Sequence, residues 1–415
     1  MIDVVFGEFL GLTYNFDWKD GVDHFLITAG DKSFSLPDIF FRRQWLDPSS
    51  LPGSPLMRTP NDLPILYGNG DNEIDIFGSI FFMLSRYEEM VIQQFDSFGR
   101  FDYKASVSFR EKFTDRPIVN EYLEILKRKL ISIQQSIIFK DHQYTVSVSH
   151  DVDVPLTFNE PLTDAIKKGI GDLYFRKSPG LALKRLFWRG MHIINPSYAH
   201  DPNLNLEFIM DEEEKFGLRG AFNFIPVRGP KDIDSHYDLH NPVISEVMKK
   251  ISERGFIIGF HPGYDTFLDA GETSKELSVL NRQLQQLGLS RVYVGRQHYL
   301  RWRPVTWRIW NELGMKEDGS VGYGIINGFR AGCCYKYTVF DIEQRKHLPL
   351  VEEPLIFMDV NCNVNDDSDV LTTVRKFSDI CRRFGGNFTI LYHNNYIISS
   401  RQKALFRDVL RTATS

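Results

Sequence analysis

From Tyr144 onward the chain repeats one rhythm, a short apolar run followed by an amphipathic stretch of helix length. No other feature restricts the fold as much, because a strand that returns through a helix rejoins its sheet in parallel. In TVSVSHDVDVP (Thr145–Pro155), Tyr144, Val146 and Val148 point one way and Thr145, Ser147 and Ser149 the other, which reads as the first strand. LNLEFIMDEEEKFGLRGAFNFIPV predicts a helix ended near Gly217 and a strand over Ala221–Val227. NPVISEVMKKISERGFIIGFHPGYDT predicts a helix ended at Gly255 and a strand running into His261. ELSVLNRQLQQLGLSRVYVGRQHYLRW repeats the unit and delivers Arg296 and His298 just past its strand. TWRIWNELGM, EEPLIFMDV and FSDICRRFGGNFTILYHNN complete the series, the last with a buried strand over Phe388–Tyr392 that stops at His393.

The polar residues of chemical interest recur at one place in this rhythm. Asp151 and Asp153, His261, Arg296 with His298, and His393 each follow a predicted strand. In a parallel α/β barrel those strand ends build the active site. Two aspartates one residue apart repel each other unless positive charge compensates. Any one of these residues alone reads as an ordinary loop residue; four separate strand ends offering metal-capable or titratable groups read as a site.

Length and composition set the frame. A chain of 415 residues exceeds one ordinary domain. Residues 1–140 differ in texture from the rest and read as a smaller α+β domain, with residues 141–415 forming the barrel. Within the first part, IDIFGSIFFMLSRYEEM sets Ile76, Ile80, Phe81, Leu84 and Tyr87 on one helical face with Ser, Arg and Glu outside, and PIVNEYLEILKRKLISIQ reads as a second helix opened by Pro117. A net charge of −5 argues against a general nucleic-acid binder. Cys333, Cys334, Cys362 and Cys381 have no C-x-x-C spacing, and the first residues carry neither a basic segment nor a long apolar run. Reduced thiols and a cytoplasmic location are the expectation.

A long insertion, at about residues 156–203, separates the first and second strands. It is basic and aromatic, with Lys167, Lys168, Arg176, Lys177, Lys184, Arg185 and Arg189 beside Tyr174, Phe175, Phe187 and Trp188. Two readings stand: peripheral contact with a membrane or lipid carrier through residues 165–192, or a solvated helical face whose apolar side lies on the barrel.

At the strand-end residues the chain resembles the polysaccharide deacetylase (NodB-homology) superfamily, the family 4 carbohydrate esterases, in its bacterial branch with an extra N-terminal domain linked to surface-polysaccharide biosynthesis. EEEKFGLRGAFNF is similar to the family's helix-glycine-strand step, ERGFIIGFHPGYDT to its first histidine step, GRQHYLRW to its arginine motif, and ILYHNN to its last histidine motif. The resemblance covers roughly residues 140–400. It implies a distorted (β/α) barrel and one divalent metal, most often Zn2+, serving to hydrolyse an N-acetyl or O-acetyl group on a sugar of a glycan, glycolipid or nucleotide-sugar intermediate. By position, Asp151 matches the general base, Asp153 and His261 match metal ligands, Arg296 matches the arginine paired with the base, and His393 matches the general acid.

The sequence departs from the family where a second histidine is usual: HPGYDT places Asp265 there. A third ligand must come from His298, whose imidazole suits zinc, or from Asp265, a carboxylate behind a Pro-Gly turn. Asp359 in FMDVN is either an orienting partner for His393 or a plain strand-end aspartate. Tyr264, Tyr299, Trp302 and Trp307 either stack on a sugar or pack in the core and rim. Cys333 and Cys334 carry no assigned role. Two other functions compete with the deacetylase: a catalytically silent glycan-binding barrel, motivated by the missing histidine, and an amidohydrolase on a small non-sugar amide.

Overall fold

The structure is a computed structural model that describes residues 1–70, 73–158, 161–174, 178–227, 233, 237–363 and 366–415. The N-terminal part opens with a wide helical segment over Asp3–Phe9, followed by an antiparallel hairpin, β1 (His24–Ala29) and β2 (Lys32–Pro37), and a small ladder, β3 (Met57–Arg58) with β4 (Pro64–Ile65). Four helices follow: α1 (Ile76–Leu84), α2 (Glu88–Val91), α3 (Val107–Arg110) and α4 (Ile118–Ile133). Pro117 stands at the cap of α4, as its fixed φ favours.

The helix around Ile76 corrects one expectation. Ser79, Ser85, Arg86, Glu88 and Glu89 were to face outward, yet all are buried. The three charged residues are inside because Arg86 donates to Glu88 and Glu89, and Glu89 also accepts from Arg330, more than two hundred residues later. A buried charge is tolerable only when paired in this way, and helical periodicity cannot reveal such a distant partner.

The main sheet contains β5 (Thr145–Val152), β6 (Ala221–Phe224), β7 (Ile257–Phe260), β8 (Val294–Gly295), β9 (Glu317–Asp318), β10 (Tyr337–Asp341), β11 (Lys346–Glu352), β12 (Phe357–Met358) and β13 (Asn387–Leu391). Its order is β10-β11-β9-β8-β7-β6-β5-β13-β12, parallel throughout except for the β10–β11 pair. The last strand of the barrel series, β13, thus pairs with the first, β5, while among the described residues the sheet ends at two open edges, β10 and β12.

Between the strands run α5 (Leu162–Tyr174), α6 (Pro179–Ile194), α7 (Leu206–Lys215), α8 (Pro242–Glu253), α9 (Ala270–Gln286), α10 (Pro304–Glu312) and α11 (Asp367–Arg383), and α12 (Ser400–Thr414) ends the chain. Gly217 and Gly255 follow α7 and α8 with φ of +71° and +75°, the left-handed exit that favours glycine. The α/β architecture with a large parallel sheet agrees with the sequence reading. The β10–β11 hairpin does not feature in that reading, and the strand after α7 stops at Phe224 rather than Val227.

One face of β5 carries Ser147, Ser149 and Asp151, a column whose partners are polar. Ser147 donates to Asn387, and Ser149 accepts from Arg296. Val148 and Val152, on the other face, join the apolar core. That core is continuous: it runs from Val4 and Phe9 through α1 and α4 to the sheet and α12.

Candidate active site

The polar column of β5 delivers Asp151 at its buried tip and Asp153 two residues beyond. Asp151 Oδ1 accepts from Asn223 Nδ2 at 2.8 Å and from Arg296 Nη1 at 3.3 Å. Arg296 is itself held by Gly319 O and Ser149 Oγ, each 2.8 Å away. Burial alone would raise the Asp151 carboxyl, but the charges of His261 and Arg296 outweigh it and hold it below the usual carboxylate range.

Asp153 meets two imidazoles from neighbouring strand ends. Its Oδ1 lies 3.5 Å from His261 Nε2 and 3.7 Å from His298 Nε2. The three donor atoms all lie within 4.8 Å of one another. His261 Nδ1 faces the Arg296 carbonyl at 2.7 Å; a carbonyl only accepts, so the neutral ring carries its proton there and turns the Nε2 lone pair toward Asp153. A carbonyl that accepts from the far ring nitrogen is how a metal-binding imidazole is usually oriented.

Two features test whether this set fits a metal ion. Asp153 Oδ1 is buried and makes no hydrogen bond, an orphan that a cation would satisfy. Burial opposes charge on His261, yet the negative charge of Asp151 and Asp153 drives its pKa above the ordinary value. The pocket therefore calls for added positive charge, and two imidazoles with one carboxylate are donors suited to zinc. The fit is good.

Asp265 does not share this cluster. Its side chain is 56% exposed and lies 3.3 Å from Arg301 Nη1. It sits inside a turn closed by Thr266 N–H on Gly263 O and faces Arg301 instead, so spacing along the chain was a poor guide to its direction.

His393 enters from the tip of β13. Its Nδ1 bonds Asp359 Oδ1 at 2.7 Å and its backbone N–H donates to Asp359 Oδ2 at 2.8 Å, so Asp359 fixes both ring and backbone. Burial would lower the His393 pKa, but Asp359, Asp153 and Asp151 together push it up to about 9. The imidazole is close enough to the aspartates for each to respond to its charge.

Among the aromatics, Trp302 and Trp307 are fully buried and belong to the core. Cys333 and Cys334 are buried as well. Tyr299 is 39% exposed at the rim, its ring 4.8 Å from that of His298. Tyr299 and Leu300 hold φ of +59° and +53°, strained for side chains of this size.

The sequence reading missed the loop that holds them there. Arg100 Nη1 donates to Tyr299 O at 3.2 Å, Tyr264 OH to Phe98 O at 3.3 Å, and the Phe98 ring stands 5.3 Å from that of Tyr299. A segment of the N-terminal part thus forms one wall of the site. Asn223 was missed too, although its place two residues into the strand Ala221–Phe224, in register with Asp151, was a usable signal.

Residues 1–135 match a family model described as a family of unknown function (DUF7033). No curated protein matches the chain. Among solved structures, the chain is similar to a candidate polysaccharide deacetylase from Mycobacterium smegmatis, at 13% identity and a TM-score of 0.44, covering 67% of this chain and 87% of that one. It is also similar to a family 4 carbohydrate esterase from Streptomyces lividans in complex with acetate, at 10% identity and a TM-score of 0.32, covering 66% and 88%. A third similarity is to a candidate polysaccharide deacetylase involved in O-antigen biosynthesis from Bordetella bronchiseptica, at 13% identity and a TM-score of 0.29, covering 65% and 83%.

Proposed function

We propose that this chain is a metal-dependent hydrolase that removes an N-acetyl group from a sugar of a glycan, glycolipid or nucleotide-sugar intermediate. The observation that carries the reading is the trio Asp153, His261 and His298, donor atoms within 4.8 Å, beside an ionised Asp151 and a His393 held by Asp359. A divalent ion on the trio, zinc being the best match to its donors, would polarise an amide carbonyl and acidify water.

The chain's own groups divide the proton work. Asp151 is the base: Asn223 and Arg296 engage its Oδ1, which leaves Oδ2, 3.7 Å from His261 Nε2, to take a proton from attacking water. His393 is the acid. Its Nδ1 proton is committed to Asp359, so Nε2 is the nitrogen that donates to the departing amine, and its raised pKa keeps it protonated at neutral pH. Opposite roles for groups with pKa values pushed apart are the usual mark of an acid–base pair. Tyr299 and Phe98 supply an aromatic rim on which a pyranose ring can rest.

The test combines metal analysis of purified protein with acetate release from N-acetylated oligosaccharides. Wild type should carry about one zinc per chain and release acetate, Asp151→Asn should keep the metal and lose turnover, and His298→Ala should lose more metal than Asp265→Ala. Protein that folds, binds sugar and takes up no metal would sink the reading in favour of a silent barrel. Turnover of small amides in preference to N-acetyl sugars would replace the substrate class.

A further inference from the structure

The helices α5 and α6 have their amphipathicity reversed. Residues turned inward between them are small or polar: Ala165, Gly169 and Asp172 on α5, Ala182 and Arg185 on α6. Asp172 and Arg185 form a buried ion pair at 2.7 Å, and at Gly169 the helices approach so closely that an added Cβ would touch Leu186. The apolar stripes face outward instead. On α5 they comprise Leu162, Ile166, Ile170, Leu173 and Tyr174; on α6, Leu183, Phe187, Met191 and Ile194 are similarly exposed.

Eleven of the twenty-seven exposed large hydrophobic side chains among the described residues fall within this hairpin. The expectation that its apolar side lies on the barrel is therefore corrected: the barrel does not cover it. Of the basic residues singled out in the sequence, Arg176 and Lys177, with Phe175, lie outside the described residues.

Charge decides what covers the stripes. Residues 162–194 carry seven Lys and Arg against two Asp, in a chain whose total is −5, and with the buried Arg185–Asp172 pair set aside six cations stand against Asp164 alone. Two copies meeting through this face would oppose like charges, whereas an anionic lipid surface complements the cations and accepts the apolar side chains. No described helix is long and apolar enough to cross a membrane, so the hairpin would lie along the interface. Its position links it to the site: the chain leaves the tip of β5 at Asp153 and enters α5 nine residues later, with Asn203 Nδ2 on Val154 O and Asp201 on Thr157 tying the returning strand of chain to its start.

We propose that the α5–α6 hairpin docks this protein on an anionic membrane surface, an inference that stands apart from the hydrolase reading because it uses none of its residues. The full chain should float with vesicles of phosphatidylcholine containing about 30% phosphatidylglycerol, bind vesicles of phosphatidylcholine alone about tenfold more weakly, and release from the former at high salt. Leu183→Glu with Phe187→Glu, both at exposed positions, should abolish flotation while leaving the thermal midpoint unchanged. Lys167→Glu with Lys184→Glu should weaken flotation on the anionic vesicles alone. Absence of flotation, or equal binding to neutral vesicles, would overturn the proposal. So would concentration-dependent self-association that the Leu183/Phe187 variant removes, which would make the face a contact between two copies.

Discussion

The 2.8 Å bond from Asn223 to Asp151, the base in the proposed reaction, depends on a glycine two strands away. Gly259 lies in register with Asn223, and a Cβ there would fall 1.9 Å from Asn223 Oδ1. Gly259→Ala must therefore push the amide aside and let Asp151 swing. A misplacement of about 1 Å in a catalytic group can cost about 100-fold, so kcat should drop by that order while metal content, measured on the same sample, stays at the wild-type level. A second effect at this scale concerns protons. If His393 is the acid, turnover is lost as pH rises through its folded pKa of about 9, which Asp359 helps to raise. Asp359→Asn removes that charge, so the alkaline limb of the kcat/KM profile should move to lower pH. An alkaline limb that stays in place would remove His393 from the role.

At the scale of elements, the informative piece is the loop from Phe95 to Phe101. Those two residues bridge across it, Asp96 clamps Arg100 at 2.7 Å, and Arg100 reaches the Tyr299 carbonyl. The loop holds Tyr299 in its strained backbone and sets Phe98 beside it. Phe98→Ala should raise KM for an N-acetylated oligosaccharide with little change in kcat, by the order of one aromatic contact, about 1 kcal/mol. Arg100→Ala should raise KM and also lower kcat, because Tyr299 adjoins His298. Steady-state kinetics on the two variants separate these outcomes. Helices and their ends were legible in the sequence, since Gly217 and Gly255 mark them. The β10–β11 hairpin was not, because the sequence reading followed strand–helix repeats, and these two antiparallel strands are joined by a turn with no helix between them.

For the whole molecule, the N-terminal part and the sheet share one apolar core and the Arg86–Glu89–Arg330 cluster. Units joined in this way should melt together. Calorimetry should give one transition for the full chain, and two separated peaks would contradict a shared core. Arg330→Ala leaves Glu89 buried with half its compensation, and the cost should be about 3–5 kcal/mol in denaturant unfolding.

What the sequence determined by itself was periodic and local. Alternation set the strands of the parallel sheet and brought Asp151, Asp153, His261, Arg296, His298 and His393 to strand ends, because each of those signals lies within one turn of chain. Tertiary structure decided the rest. The direction of Asp265, the partnership of Asn223 with Asp151, the burial of Arg86 and the wall contributed by Phe98 all depend on contacts between residues far apart in sequence. No local pattern records such contacts, since they exist only once packing has brought the two segments together.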